Sequence, residues 1–251
     1  MNILDSLKMA KYGAIFDLRG SLYHQAMVSF PNARDAEFSA VFSKVPLIGG
    51  ELIVDVPSGG GYLEAFLKRV KPNSTFSVQN LEFASGFGSA PFVVSPGSSW
   101  PIAPKSVDRV ICLAASHHLQ DLSPLFLNIK EVLKPGGFFH LADISPESGV
   151  QKFLESFVHC YTPGGHRGSY RDFFSEAFPP FFEVLDISSR PCPWSFKNID
   201  NMLKFCGGLF GLQEYSYDEL ELALRNCIGV TTESDGVRLA WELVYIDMRL
   251  K

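Results

Sequence analysis

An α/β fold is predicted, with a mostly parallel sheet covered by helices on both faces and by a helical cap. Three observations predict it. Short apolar runs alternate with helix-spaced segments from about residue 50 to 146, the pattern of strands buried on both faces. The run Leu52 to Val56 leads into Gly59, Gly60 and Gly61, and then directly into an amphipathic stretch. Helical spacing dominates both flanks, at 1–46 and 150–228. With 251 residues, 46% of them hydrophobic, the chain suffices for one such domain with a cap and is too short for two large ones.

The elements follow in order. Ala26, Met27 and Phe30, then Phe38, Val41 and Phe42, recur at three- and four-residue steps, with Pro31 interrupting the helix between them. In the alternating zone, strands are expected at 52–56, 76–78, 92–94, 107–113 and 138–142, and helices at 62–70 and 122–133. Pro135, Gly136 and Gly137 close the second helix. Further on, helices are expected at 150–160, 170–177, 199–209 and 217–227, with strands at 182–187 and 237–247. This gives a helical cap segment at 1–46 and a main domain at 47–251, with cap insertions at about 150–178 and 199–228.

Composition excludes several classes. Lys and Arg number 22 against 27 Asp and Glu, a net charge of −5, and no stretch concentrates the basic residues, so a nucleic-acid surface is not expected. Apolar content this high excludes a disordered chain. The five cysteines form no CxxC pair, which argues against a disulfide framework or a cysteine zinc site. They read as small buried hydrophobes of a reducing compartment. Asp5 and Lys8 interrupt the apolar run that a signal peptide needs, and no run approaches the ~20 apolar residues that span a bilayer. A cytoplasmic location without a membrane partner is expected.

The strongest local signal is Leu52-Ile53-Val54-Asp55-Val56-Pro57-Ser58-Gly59-Gly60-Gly61. A strand entering a glycine turn and then a helix lets a ligand approach the backbone, and the helix N-terminus offers free N–H groups. Asp55 would repel a pyrophosphate and favours a nucleoside with a cationic or amino-bearing tail. On these residues the chain resembles the class I S-adenosylmethionine-dependent methyltransferases of the small-molecule type. Ile53 to Gly61 is similar to that family's acidic residue and glycine turn. Asp108 to Leu113 resembles its fourth strand, Ser116-His117-His118-Leu119 the turn after it, and Glu131 to Phe139 its helix, Pro-Gly-Gly turn and fifth strand. The likeness covers about residues 50–146, and more loosely 182–187 and 237–247. It implies a Rossmann-like sheet of seven strands, the last antiparallel, and S-adenosyl-L-methionine as cofactor.

By that resemblance Pro57, Ser58, Gly59, Gly60 and Gly61 would carry the cofactor's amino-acid end and Asp55 its ammonium group. Gln79 with Asn80 would meet its ribose, and Ser98, Ser99 and Trp100 its adenine; Leu113 and Ala114 would also touch the cofactor. Two departures matter. Pro57 stands at the family's first glycine, and Gln79 at its ribose-binding acidic position, with Glu82 three residues further on. Gln accepts from a hydroxyl without charge assistance, so a weaker ribose clamp is implied.

Methyl transfer from a sulfonium rests on positioning and exclusion of water, with a general base only where the nucleophile is protonated. His117, His166 and Tyr23 are the candidate catalytic groups; His118 and His140 read as structural. His24, Asp143, Tyr161, Arg167 and Tyr170 are candidate substrate contacts, with Arg167 and Arg171 able to pair with a carboxylate. The glycine-bearing stretch 160–170 reads as a lid. The turn Leu113-Ala114-Ala115-Ser116 is unlike the Asn-Pro-Pro-Tyr of amide and nucleobase-amine methylators, and no carboxylate group suggests a metal. The expectation is methyl transfer to O, N or C of a small, partly apolar or aromatic metabolite, with no nucleic-acid partner and the oligomeric state open. Two alternatives stay open: intramolecular displacement on the same cofactor giving methylthioadenosine, and a non-catalytic cofactor-binding regulatory subunit. Of 22 phenylalanines, 14 lie outside residues 50–146, which predicts an aromatic enclosure for the acceptor.

Overall fold

Burial on both faces accounts for the central strands: Ile53, Val54, Val110, Ile111 and Leu141 are all fully or almost fully shielded from solvent. The computed structural model describes residues 11–87 and 92–251. Its strands are β1 (Leu52–Asp55), β2 (Ser77–Asn80), β3 (Val107–Leu113), β4 (Leu133–Asp143), β5 (Phe182–Pro191), β6 (Trp194–Phe196), β7 (Val230–Glu233), β8 (Gly236–Leu239) and β9 (Glu242–Leu250). The main sheet runs β2-β1-β3-β4-β9-β5, and a small sheet runs β6-β8-β7. β1 to β4 pair in parallel, while β9 lies antiparallel between β4 and β5.

The main sheet therefore has six strands where the family resemblance implies seven. The missing one is the segment 92–94, reduced to a single bridge between Glu82 and Val93. Phe92 and Val93 stay exposed and Val94 is only partly buried against an apolar cluster, so the segment has little buried surface to stabilise a longer ladder. The strand expected at 237–247 also divides. Ala240 and Trp241 carry the chain from β8 in the small sheet to β9 in the main one.

The helices are α1 (Lys11–Ser29), α2 (Asp35–Val41), α3 (Tyr62–Val70), α4 (Ser123–Val132), α5 (Gly149–Phe153), α6 (Ile199–Phe210) and α7 (Tyr217–Cys227), with a 3-10 turn at Ser116–His118. α5 continues through a π-helical turn (Leu154–Val158) to Tyr161. The expected helix at 170–177 is absent. Asp172 accepts from the N–H of Phe174 and the hydroxyl of Ser175, a local turn that competes with helix. None of the described helices is long and apolar enough to cross a membrane. Asp5 and Lys8 lie outside the described residues.

Two apolar clusters fill the two faces of the sheet. α1 lies close to its supports: a Cβ on Gly20 would sit 2.4 Å from the carbonyl oxygen of Gly86, and one on Gly208 of α6 would sit 3.2 Å from the Ala26 methyl. Tyr23 of α1 reaches the glycine turn, where a Cβ on Gly59 would sit 3.3 Å from its hydroxyl.

Candidate functional site

The glycine turn forms one floor of the site. Gly59, Gly60 and Gly61 all have left-handed backbones, with φ of 56°, 103° and 82°. A Cβ on Gly61 would also stand 3.0 Å from Nδ2 of Asn80, so this position needs glycine for both conformation and space. Ser58 N–H donates to the Leu81 carbonyl (2.8 Å) and Gly61 N–H to that of Ser58 (3.0 Å). Glu82 holds the turn from the side: its carboxylate accepts from Gly59 N–H (2.8 Å) and the Ser58 hydroxyl (3.4 Å).

Asp55 closes β1 and is buried against this turn. Burial, followed by the nearby Glu82 carboxylate, pushes its carboxyl well above the usual range. Glu82 is raised too, by burial. Asn80, at the end of β2, keeps a buried Oδ1 with no hydrogen-bond partner. A pair of buried acids and an unmet amide oxygen thus surround the turn.

Above it opens a cleft of about 850 Å³, mouth included. Its aromatic wall comes from Tyr23, Tyr62, Trp194, Phe210 and Trp241. Only Phe16, Phe38 and Phe210 among the 22 phenylalanines line it. The aromatic enclosure is real, but tyrosine and tryptophan supply much of it, while Phe153 and Phe173 are buried in packing and Phe174 is exposed. The cap braces this wall through a buried ion pair. Glu37 accepts from Arg34 (2.8 Å) and from Trp194 Nε1 (2.7 Å), and Arg34 donates to the Tyr23 hydroxyl (2.5 Å). Burial raises the Tyr23 phenol, with Arg34 pulling the other way.

The opposite wall carries the histidines. His117 follows β3 and its Nδ1 lies 2.7 Å from Asp143 at the end of β4. A carboxylate only accepts, so Nδ1 holds the proton and Nε2 faces away from the pair. That Nε2 is buried without a partner. Asp143 also accepts from the Ser116 hydroxyl and from the N–H groups of His117 (2.6 Å) and Ile144 (2.8 Å). Burial pushes the Asp143 carboxyl up, but His117 and these donors outweigh it and hold it below the usual range. His166 reaches the same wall from the 160–170 stretch, which folds back where Ser169 N–H donates to the His117 carbonyl (2.6 Å). Burial, then His117 and Arg19, push its imidazole well below the ordinary value. Tyr170 stacks on His117 at 5.4 Å between centroids, its buried hydroxyl without a partner.

Asp55, Pro57, Ser58, Gly59, Leu113, Ala114, Tyr23, His117 and His166 therefore share one cleft. Other expected residues lie elsewhere. Gln79 sits within β2, paired in register with Val54, and Glu82 is the acid that reaches the turn. Ser98, Ser99 and Trp100 do not border the cleft: Ser98 caps a local turn with Ser95, and Trp100 is buried in the core below. His24 is exposed and bonds the Tyr62 hydroxyl at 2.6 Å. Tyr161 faces Glu219 (3.3 Å). Arg167 is exposed on a separate groove beside Ile15 and Leu18, and Arg171 donates to the carbonyls of Leu119 and Gln120, which leaves no paired cations for a carboxylate. Glu82, the Arg34–Glu37 pair and the cleft-facing His118 are absent from the sequence-derived set. A charged i, i+3 pair beside an apolar helix face was the available signal for the second.

Residues 55–141 match the family model of a methyltransferase domain. The chain has the class I S-adenosylmethionine-dependent methyltransferase fold. Among solved structures, the 4+2 cyclase SpnF is similar at 13% identity and a TM-score of 0.58, covering 95% of this chain and 94% of its own. A SAM-dependent methyltransferase from Thermotoga maritima is similar at 14% identity and a TM-score of 0.56, over 95% and 99%. The YcgJ protein of Bacillus subtilis gives 15% identity and a TM-score of 0.50, over 86% and 98%. A search of curated proteins returns no match. In the methyltransferase fold, the turn after β1 and the ends of β3 and β4 lie along one edge of the sheet, where doubly wound proteins bind ligands.

Proposed function

We propose that the protein is an S-adenosylmethionine-dependent methyltransferase acting on a small, partly apolar or aromatic molecule. One observation carries the reading: the buried acid Asp55, Gly59 of a turn of three left-handed glycines, and His117, held by Asp143, border one aromatic cleft. The residues fit the cofactor. Asn80 Oδ1 is an unmet acceptor suited to a ribose hydroxyl, Asp55 suits an ammonium group, and the glycines leave room that any Cβ would fill. When bound, S-adenosylmethionine supplies an activated methyl group for in-line displacement. The faces of Tyr23 and Tyr62 favour a cationic centre beside them. His117, with its tautomer fixed by Asp143, presents Nε2 as a proton acceptor for a protonated nucleophile, and the cap over the cleft excludes water.

Isothermal titration of the purified protein with S-adenosylmethionine and S-adenosylhomocysteine tests the cofactor; binding of neither overturns the proposal. Because SpnF is a cyclase of similar fold, product identity decides the reaction class. Mass spectrometry after incubation with candidate acceptors should find S-adenosylhomocysteine with a methylated acceptor. Methylthioadenosine instead would replace methyl transfer by intramolecular displacement, and tight binding without turnover would favour a regulatory subunit.

A further inference from the structure

Three histidines converge on one wall of the cleft, and the methyl-transfer reading uses one of them. His117, His118 and His166 are all buried, and each offers a ring nitrogen within 4.8 Å of the others. Their ring centroids stand 4.1, 5.2 and 5.5 Å apart. Nε2 of His117 and Nδ1 of His166 are both buried without a hydrogen-bond partner. Each such atom costs roughly 1–3 kcal/mol if left unmet, so these two nitrogens call for a partner. A water or a shared proton would serve these two nitrogens alone; a cation would use them together with the ring nitrogen that His118 offers beside them.

The geometry points to a three-histidine site for a divalent transition ion, with zinc the best match. Imidazole nitrogens suit zinc, copper, iron and nickel and not magnesium or calcium. Three histidines with a fourth position open are a recurrent catalytic zinc arrangement, and here the open side faces the cleft. Bonds of about 2.0–2.1 Å place tetrahedral ligand nitrogens roughly 3.4 Å apart. From a span of 4.8 Å the rings need approach by no more than about 1.4 Å. The supporting contact is already formed: Asp143 holds Nδ1 of His117 at 2.7 Å, the carboxylate–histidine pairing that orients a metal ligand. His166 is steadied from behind, its backbone N–H donating to Nδ1 of His159 at 3.0 Å. The ion takes the His117 position that otherwise meets a substrate proton, so metal-loaded and metal-free proteins are different chemical states. Its fourth position accepts water or a substrate oxygen or nitrogen. The site is independent of whether the protein transfers methyl groups.

The test uses the full chain carrying Cys160→Ala, which removes an exposed thiol from the background. After chelator treatment it is titrated calorimetrically with zinc chloride, and with cobalt(II) followed by visible absorption. One ion per chain is expected, with a four-coordinate cobalt spectrum lacking thiolate bands. His117→Gln and His166→Gln should each weaken zinc binding on the order of 100-fold, and Asp143→Asn by roughly 10- to 100-fold. No stoichiometric binding, an octahedral cobalt spectrum, or affinity untouched by both histidine variants overturns the site. The cobalt spectrum of the unsubstituted histidine cluster decides the matter if a variant fails to fold. Failure to bind S-adenosylmethionine, by contrast, would leave this result standing.

Discussion

Two buried polar clusters in this molecule differ in how completely they are satisfied. One crosses the main sheet away from the cleft. Glu51 pairs with Arg109 (2.6 Å), Arg109 donates to His140 Nε2 (2.9 Å), His140 Nδ1 meets Asp247 (2.6 Å), and Arg190 joins Asp247 (2.5 Å) and Asp186 (2.7 Å). Both nitrogens of His140 are used. The other lies at the cleft, where His117 and His166 in its wall, Tyr170 stacked on His117 and Asn80 beside the glycine turn each retain a buried atom without a partner. Both regions carry the desolvation cost of buried polarity. The first meets it internally and so acts as structure, whereas the second leaves it for something that binds.

The largest test of that contrast is on the sheet ladder. Arg109→Ala strands Glu51 and removes a partner of His140, and should lower unfolding stability by about 3–5 kcal/mol, read from urea denaturation. A loss below about 1 kcal/mol would erase the distinction. Asp55→Asn should act with the opposite sign. Its folded pKa is raised by burial and Glu82, so the contribution of protonated Asp55 is present below the unfolded pKa and is lost as pH rises toward the folded value. The variant's advantage should therefore grow from about pH 4 towards neutrality, reaching roughly 1–2 kcal/mol, as seen in thermal melts across that range. Its affinity for S-adenosylmethionine should fall about 10-fold or more. The smallest stability effect belongs to His117→Gln. Asp143 keeps Ser116 and two backbone N–H donors, so a change under about 1 kcal/mol is expected. Methyl transfer to a protonated nucleophile should nonetheless drop roughly 100- to 10,000-fold, and a drop in melting temperature matching that of Arg109→Ala would place His117 with the ladder instead.

What the sequence made legible was local. The helices at 62–70 and 217–227 match α3 and α7 because apolar spacing and end signals lie within the segment. The glycine turn and Asp55 were legible because strand, turn and helix are contiguous. The third strand failed because a ladder depends on what it packs against, and Phe92 and Val93 stay exposed. The acid that holds the glycine turn was not legible as such for a related reason. Counting along the chain reaches Gln79, while the carboxylate that touches Gly59 belongs to Glu82, beyond the strand end. His166 meets His117 only because the 160–170 stretch folds back over a turn some fifty residues earlier, and a spacing rule carries no trace of such long-range contact. Ser98 to Trp100 illustrate the converse: a position inferred from order along the chain had no counterpart at the cleft.

The tryptophans have a practical consequence. Trp194 and Trp241 stack at 4.0 Å on the cleft wall, while Trp100 lies in the apolar cluster on the opposite face. An occupant of the cleft would alter the emission of the first two and leave the third as an internal standard. The protein thus carries an intrinsic fluorescent reporter, with which unlabelled compounds can be screened before any turnover assay exists.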